Sequence, residues 1–292
     1  MGWSSTISAN TTDVSHLIYD PEKLASARAI AVMVPGALSS VRIFEPALKW
    51  QDLGYGLATY RFPGMDGREV SPKLNIAEAA AEIVALGKAF PDKPLRLLGY
   101  STGGPIVLTA AAQLNRDVRV AAMSPAVERG GGLRTGFTGL LDIVKSMARV
   151  RSMRRDKIWL EYYRVLLFGP DVLTNADLAA QADAMIAAHR SDIVLPDGGK
   201  PRAHTHDLSR WRLPQNLELP KGALRFFVGS KDPVFSPTQT RAFARKLGNA
   251  PITSYPGQGH LLFLSHKPAF DDILDHFEGR VPHRDGAENT HL

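Results

Sequence analysis

The chain has 292 residues, of which 44% are apolar and 22% charged, with a formal net charge of +6 and no cysteine. That balance excludes a disordered chain and a membrane-embedded body, and the length suits one α/β domain carrying an insertion, or two smaller domains. Disulfides, thiol nucleophiles and thiolate metal sites are excluded outright, and the positive charge comes without the basic-aromatic runs or motifs that a nucleic-acid partner needs.

The opening segment MGWSSTISANTTDV lacks the positive and apolar regions of a secretory leader, and no stretch reaches bilayer-spanning length. A cytoplasmic chain is the expectation. Met1, Gly2 and Thr6 match the spacing of a myristoylation signal, and Asn10 with Thr12 that of a glycosylation sequon. Both patterns are short and degenerate, and chance accounts for them.

From residue 29 short apolar β-branched runs alternate with helix-patterned stretches, the signature of parallel strands joined by crossover helices packed on both faces of a sheet. AIAVMVP (29–35) predicts the first strand, followed by a helix from Val41 to Leu53. GLATYRF is the second strand, and IAEAAAEIVALGKAF the helix after it. LRLLGY predicts a third strand that runs straight into Ser101 and then into PIVLTAAAQL, an apolar helix suited to burial against the sheet. VRVAAMSPA gives a further strand ending near Pro125.

The alternation then stops. Residues 126–215 read as an inserted helical cap, entered through the glycines at 130–132, so the core comprises 1–125 and 216–292. In the first cap helix Phe137, Leu140, Leu141, Val144 and Met147 form an apolar stripe. The basic cluster Arg149, Arg151, Arg154 and Arg155 at its end reads as a solvated face in preference to a membrane-surface contact. Trp159, Tyr162, Tyr163 and Phe168 suit either a substrate channel or a small core layer of their own. Strands resume with ALRFFVGS (223–230) and PITSYP, separated by a helix from Pro237 to Lys246 and closed by one from Lys267 to His276.

Gly99, Ser101 and Gly103 form a G-x-S-x-G pattern between an apolar strand and an apolar helix. A serine on so tight a turn needs neighbours without a Cβ, and the helix N-terminus stabilises negative charge beside it. A serine hydroxyl is a weak nucleophile until a base takes its proton, and that base needs a carboxylate to hold its tautomer. Asp232, in VGSKDPVF, follows a strand; His260, in PGQGHLLF, follows the next. Glu128 is the alternative acid, and Asp232 is preferred. His204 and His206 have alternate spacing without a third metal ligand and read as a surface loop, while His266 and His276 read as surface residues of the last helix.

Through GYSTG, KDPVF and GQGHLLF the chain resembles the α/β-hydrolase superfamily from about Ala29 to Glu278, and is most similar to monoacylglycerol lipases and carboxylesterases. The resemblance implies a mostly parallel eight-stranded sheet, a cap inserted after the strand ending near Pro125, and an oxyanion hole made by the backbone N–H groups of Ala37 and Thr102. The chain departs from the family pattern at Pro35, where a histidine commonly precedes the glycine. The turn RFPGMDGREVS (61–71) is expected to shape the site without doing chemistry.

The function expected is hydrolysis of carboxylic esters through an acyl-enzyme, with Ser101 as nucleophile, His260 as base and Asp232 as orienting acid. Neither cofactor nor metal is called for, and the expected partner is a small-molecule ester. Thioester, lactone or carbon–carbon bond hydrolysis on the same triad, or a catalytically weak small-molecule receptor, are the alternatives.

Overall fold

A computed structural model of the protein describes residues 16–128, 155–189 and 199–280. Its centre is a seven-stranded sheet in the order β1-β3-β2-β4-β5-β6-β7. The strands are β1 (Leu17–Tyr19), β2 (Ala29–Val34), β3 (Tyr55–Tyr60), β4 (Leu95–Tyr100), β5 (Val118–Met123), β6 (Leu224–Gly229) and β7 (Ile252–Tyr255). Only β1 runs antiparallel to its neighbour. The resemblance implied eight strands; the described residues hold seven. β1 itself was missed in the sequence, since a three-residue edge strand carries too short a pattern to read.

Parallel strands covered on both faces should be apolar throughout, and every residue of β2 and β3 is buried. Alternate side chains then feed two cores. Ile30, Val32 and Val34 join one face, with Leu95 and Leu97. Ala29, Ala31 and Met33 join the other, with Leu98 and Tyr100. The first core is covered by α2 (Ile76–Ala89), α3 (Gly103–Ala111) and α7 (Pro237–Lys246), which follow α1 (Pro21–Ser26) in the chain or lie beyond the insertion. The second is covered by the Val41–Leu53 segment, by α8 (Leu262–Ser265) and by α9 (Ala269–Phe277).

Val41–Leu53 is helical, as the sequence predicts, and takes the 3-10 form with Pro46 inside it. Proline supplies no N–H to an α ladder. Its start is held from outside, where Asp66 accepts hydrogen bonds from the Ser40 hydroxyl at 2.5 Å and the Val41 N–H at 3.0 Å.

Between β5 and β6 the described elements are helical: α4 (Arg155–Phe168), a short 3-10 turn (Pro170–Leu173), α5 (Ala176–Ala188) and α6 (Lys200–Thr205). The expected first cap helix, with its apolar stripe and the glycine-rich entry, lies outside the described residues. So do the arginines at 149, 151 and 154, the side chain of Arg155, and the amino-terminal modification patterns. Among the described residues no helix is long and apolar enough to cross a membrane.

The sheet order places β3 on one side of β2 and β4 on the other. In an open α/β sheet, the crevice at the carboxyl ends of strands flanking such a reversal is where ligands bind. The loops leaving β2 and β4 carry Ala37 and Ser101 to that crevice.

One polar tie in the second core corrects an expectation. His276 is buried, not a surface residue, because it faces the sheet from α9, with its Nε2–H donating to the Val120 carbonyl at 3.0 Å. Burial, before the nearby Arg225 and Arg119, pushes its pKa from 6.5 down to about 4. A histidine with a lower pKa folded than unfolded takes up a proton on unfolding, so its contribution to stability is complete above about pH 6.5 and falls away toward pH 4. Urea unfolding should show about 2 kcal/mol lost from this group between pH 8 and pH 5. His276→Gln should lose that much less over the same interval, and an equal loss in both proteins would clear His276 of the effect.

Candidate active site

The turn from β4 into α3 is closed by backbone contact rather than by side chains. Ser101 has φ of 49°, in the left-handed region that a residue with a Cβ enters only under constraint. A Cβ on Gly99 would meet the Gly103 carbonyl at 2.5 Å, and one on Gly103 would overlap the Val34 carbonyl. The elbow therefore packs directly on the end of β2, through hydrogen at both positions. A Cβ on Gly36 would lie 2.8 Å from Cβ of Ser101, so the loop after β2 also presses against the serine.

Ser101, His260 and Asp232 are all buried, at 8%, 6% and 4% exposure. The Ser101 hydroxyl lies 3.1 Å from His260 Nε2, and His260 Nδ1 lies 2.8 Å from Asp232 Oδ2. The other carboxylate oxygen of Asp232 accepts the N–H groups of Val234 at 2.8 Å and Phe235 at 3.0 Å. Three donors thus converge on one carboxylate and fix the plane it offers to the imidazole. Tyr100 and Phe235 flank the ring, at centroid distances of 5.4 and 5.7 Å. Burial raises the pKa of Tyr100 well above the ordinary tyrosine value, so this flank is neutral.

The histidine loop is held by the insertion. At the end of α4 the Leu166 carbonyl accepts from the His260 N–H at 2.7 Å, and the Leu167 carbonyl from the Gly259 N–H at 2.7 Å. A Cβ on Gly259 would strike the Leu166 carbonyl, so the two backbones meet in direct contact.

Ala37 and Thr102 face the same space, a cavity of about 400 Å³ that Ser101 and His260 also line. Among the described residues neither amide N–H has a hydrogen-bond acceptor, as two donors awaiting a substrate oxygen would require. The remaining lining is mostly apolar and aromatic, including Trp159, Tyr162 and Tyr163 from α4, with Leu208 and Phe263 opposite. Among the described lining residues there is no Lys, Arg, Asp or Glu. Of the four α4 aromatics singled out, Trp159, Tyr162 and Tyr163 line the cavity, while Tyr163 and Phe168 are buried in the second core.

The weaker candidates fall elsewhere. Glu128 pairs with Lys246 at 2.6 Å. His206 is exposed and His266 lies against Tyr255 at 4.6 Å between ring centroids. His204 is not on a surface loop. It is fully buried on α6, because both ring nitrogens have backbone partners, the Leu38 N–H and the Pro63 carbonyl. Sequence reasoning missed it, and the only signal was its place within a Pro-started helical turn. Among the described residues no three His, Cys, Asp or Glu side chains gather as a metal site.

A model of the alpha/beta hydrolase family matches residues 31–272. Among solved structures the fold is similar to a candidate non-heme bromoperoxidase of Mycobacterium tuberculosis H37Rv, at 18% identity and TM-score 0.69, covering 92% of this chain and 98% of that one. It is similar to the enol-lactonase of Burkholderia xenovorans LB400, at 17% identity and TM-score 0.66, covering 90% and 96%. A thermophilic esterase from Thermogutta terrifontis is similar at 15% identity and TM-score 0.60, covering 90% and 93%. No curated protein matches the sequence.

The left-handed backbone at Ser101 makes a stability prediction independent of activity. Ser101→Gly should be more stable than Ser101→Ala by about 1 kcal/mol, since both lose the hydroxyl and only alanine keeps a Cβ at positive φ. Chemical denaturation of the two variants measures the difference, and equal stabilities would mean that the elbow carries no such strain.

Proposed function

The chain belongs to the alpha/beta hydrolase family, and from that premise we propose that it is a serine hydrolase cleaving neutral carboxylic esters, with Ser101 as nucleophile, His260 as base and Asp232 as orienting acid. The observation that carries the reading is the unbroken chain of hydrogen bonds from Asp232 through His260 to Ser101, ending at the wall of an apolar cavity.

In this mechanism His260 Nε2 takes the hydroxyl proton as Ser101 Oγ attacks the ester carbonyl carbon. The carbonyl oxygen becomes an oxyanion held by the amides of Ala37 and Thr102. The imidazolium then donates its proton to the departing alkoxide, and the tetrahedral intermediate collapses to an acyl-serine. Water enters, gives a proton to His260 and attacks the acyl carbon. The second tetrahedral intermediate then collapses, the Ser101 Oγ–acyl bond breaks, and His260 returns its proton to Ser101 Oγ as the acid leaves. Asp232 keeps the Nδ1–H of His260 pointed away from the serine throughout and stabilises the charge that forms on the ring. In this reading the described part of the insertion serves as the cap, with Trp159, Tyr162 and Tyr163 of α4 and Thr205, Leu208 and Ser209 in and after α6 on the cavity wall.

The lining also supports a substrate class. A cavity of about 400 Å³ falls in the range of small-ligand sites, roughly 300 to 1,000 Å³. With aromatic and aliphatic walls it favours an apolar acyl group, and among the described lining residues an ionised substrate carboxylate would find no cationic partner to offset its desolvation. Uncharged lactones share the acyl chemistry and the same demand on the cavity.

Ser101→Ala should lower turnover of p-nitrophenyl esters by about 10⁴ to 10⁶-fold, and a fluorophosphonate probe should label the wild-type chain at Ser101. Across an ester panel, monoanionic dicarboxylate half-esters should be cleaved at least about tenfold less efficiently than neutral esters of equal length. Folded protein that neither labels nor hydrolyses any ester would overturn the reading in favour of a small-molecule receptor.

A further inference from the structure

The oxyanion loop is braced by a histidine from a distant part of the chain. Leu38, the residue after Ala37, has φ of 60°, and a leucine held in the left-handed region is costly unless its surroundings impose it. Its N–H donates to His204 Nδ1 at 2.9 Å, while His204 Nε2 lies 2.6 Å from the Pro63 carbonyl. Those two partners admit one tautomer, with the proton on Nε2 and the lone pair on Nδ1, since any other state would aim N–H at N–H or leave a carbonyl facing a lone pair. The ring is completely buried and Phe62 packs edge-on against it at 5.3 Å between centroids. Burial lowers its pKa, in keeping with a neutral imidazole.

His204 also belongs to the inserted segment. The next residue, Thr205, lines the cavity, as do Leu208 and Ser209 just beyond. The short helix α6 therefore points one residue at the oxyanion loop and others at the space a substrate would fill.

We infer that His204 is a positioning residue: by accepting the Leu38 N–H it holds the loop in its left-handed bend and aims the Ala37 N–H at the substrate oxygen. This rests on the serine hydrolase reading. Fixing the peptide plane after Ala37 sets the residue's orientation from one side, and the turn bond from Ser39 N–H to the Gly36 carbonyl at 3.2 Å closes the loop from the other. The contribution is made to the transition state, where the oxygen is fully charged, so the inference predicts an effect on kcat and little on KM.

The test compares His204→Asn and His204→Leu, two side chains of nearly equal shape, in the full chain. The Oδ1 of asparagine takes the place of Nδ1 as acceptor; leucine offers none. His204→Leu should lower kcat for a p-nitrophenyl ester by about 10 to 100-fold with KM changed less than about threefold, a partial loss compared with deleting an oxyanion donor outright. His204→Asn should restore kcat to within about threefold of the wild type, because the backbone acceptor is restored. Equal kcat in the two variants, or an effect confined to KM, would overturn the inference. If either variant fails to fold, the ¹⁵N shifts of the wild-type ring decide: a protonated Nε2 with a bare Nδ1 supports the inference, and the opposite tautomer overturns it. Wild-type protein that turns over no ester removes the hydrolase reading and this inference together, whereas an active wild type with indifferent variants removes this inference alone.

Discussion

The close approach of two backbones at the carboxyl edge of the sheet is the constraint on which the site depends. Gly103 packs on the carbonyl of Val34, and Gly36 on Ser101, so the exits of β2 and β4 occupy one layer with no side chain between them. That contact requires the parallel register in which Val34 pairs with Gly99. A slip of one residue in β2 would exchange the side chains it sends to the two cores, putting Ile30 and Val32 where Ala29 and Ala31 pack, so the two cores enforce the register. Packing of the sheet thus fixes how far the serine stands from the loop that carries Ala37. An elbow bent this sharply holds Ser101 in a left-handed conformation, and the strain is borne by contacts on both sides of it.

The insertion between β5 and β6 grips both halves of this arrangement. At one end α4 receives the His260 loop on the carbonyls of Leu166 and Leu167. At the other, α6 places His204 between the loop after β2 and the turn at Pro63. The same segment contributes Trp159, Tyr162 and Tyr163 to the cavity wall. Residues that line the cavity are therefore mechanically continuous with backbone that holds the His260 loop and the loop after β2. Under the proposed hydrolase reading, a change of fit made in α4 or α6 also reaches the geometry around Ser101 and Ala37.

Most of the sheet was legible because buried parallel strands leave continuous apolar runs, and each of β2, β4, β5 and β6 has one. Ser101, Asp232 and His260 could be brought together from the sequence for a related reason: they lie at the end of β4 and in the loops after β6 and β7, and strands of one parallel sheet deliver their exits to one edge. What escaped the sequence lacked a periodic signal. β1 is three residues long. His204 lies 166 residues from the amide it accepts, and the Pro-started turn that holds it carries no hint of that partner. Pro35 stands where the resemblance leads one to expect a histidine, and the loop that follows donates the Leu38 N–H to His204 of the insertion.

Three buried histidines show how far the partner decides what the same side chain can do. His276 and His204 each donate an Nε2–H to a backbone carbonyl and have no carboxylate opposite, so burial penalises the charged ring and their pKa values fall. Neither is suited to gaining and returning a proton near neutral pH. His260 is equally buried, but its Nδ1 faces Asp232 and its Nε2 faces a hydroxyl. A carboxylate placed there offsets the charge the ring would gain on taking the serine proton, and the two N–H groups of Val234 and Phe235 keep that carboxylate from rotating away. Burial alone therefore yields a rigid neutral brace. Burial with a fixed carboxylate on one nitrogen and a hydroxyl on the other is the arrangement the proposed base requires, and of the three only His260 has that pair of neighbours.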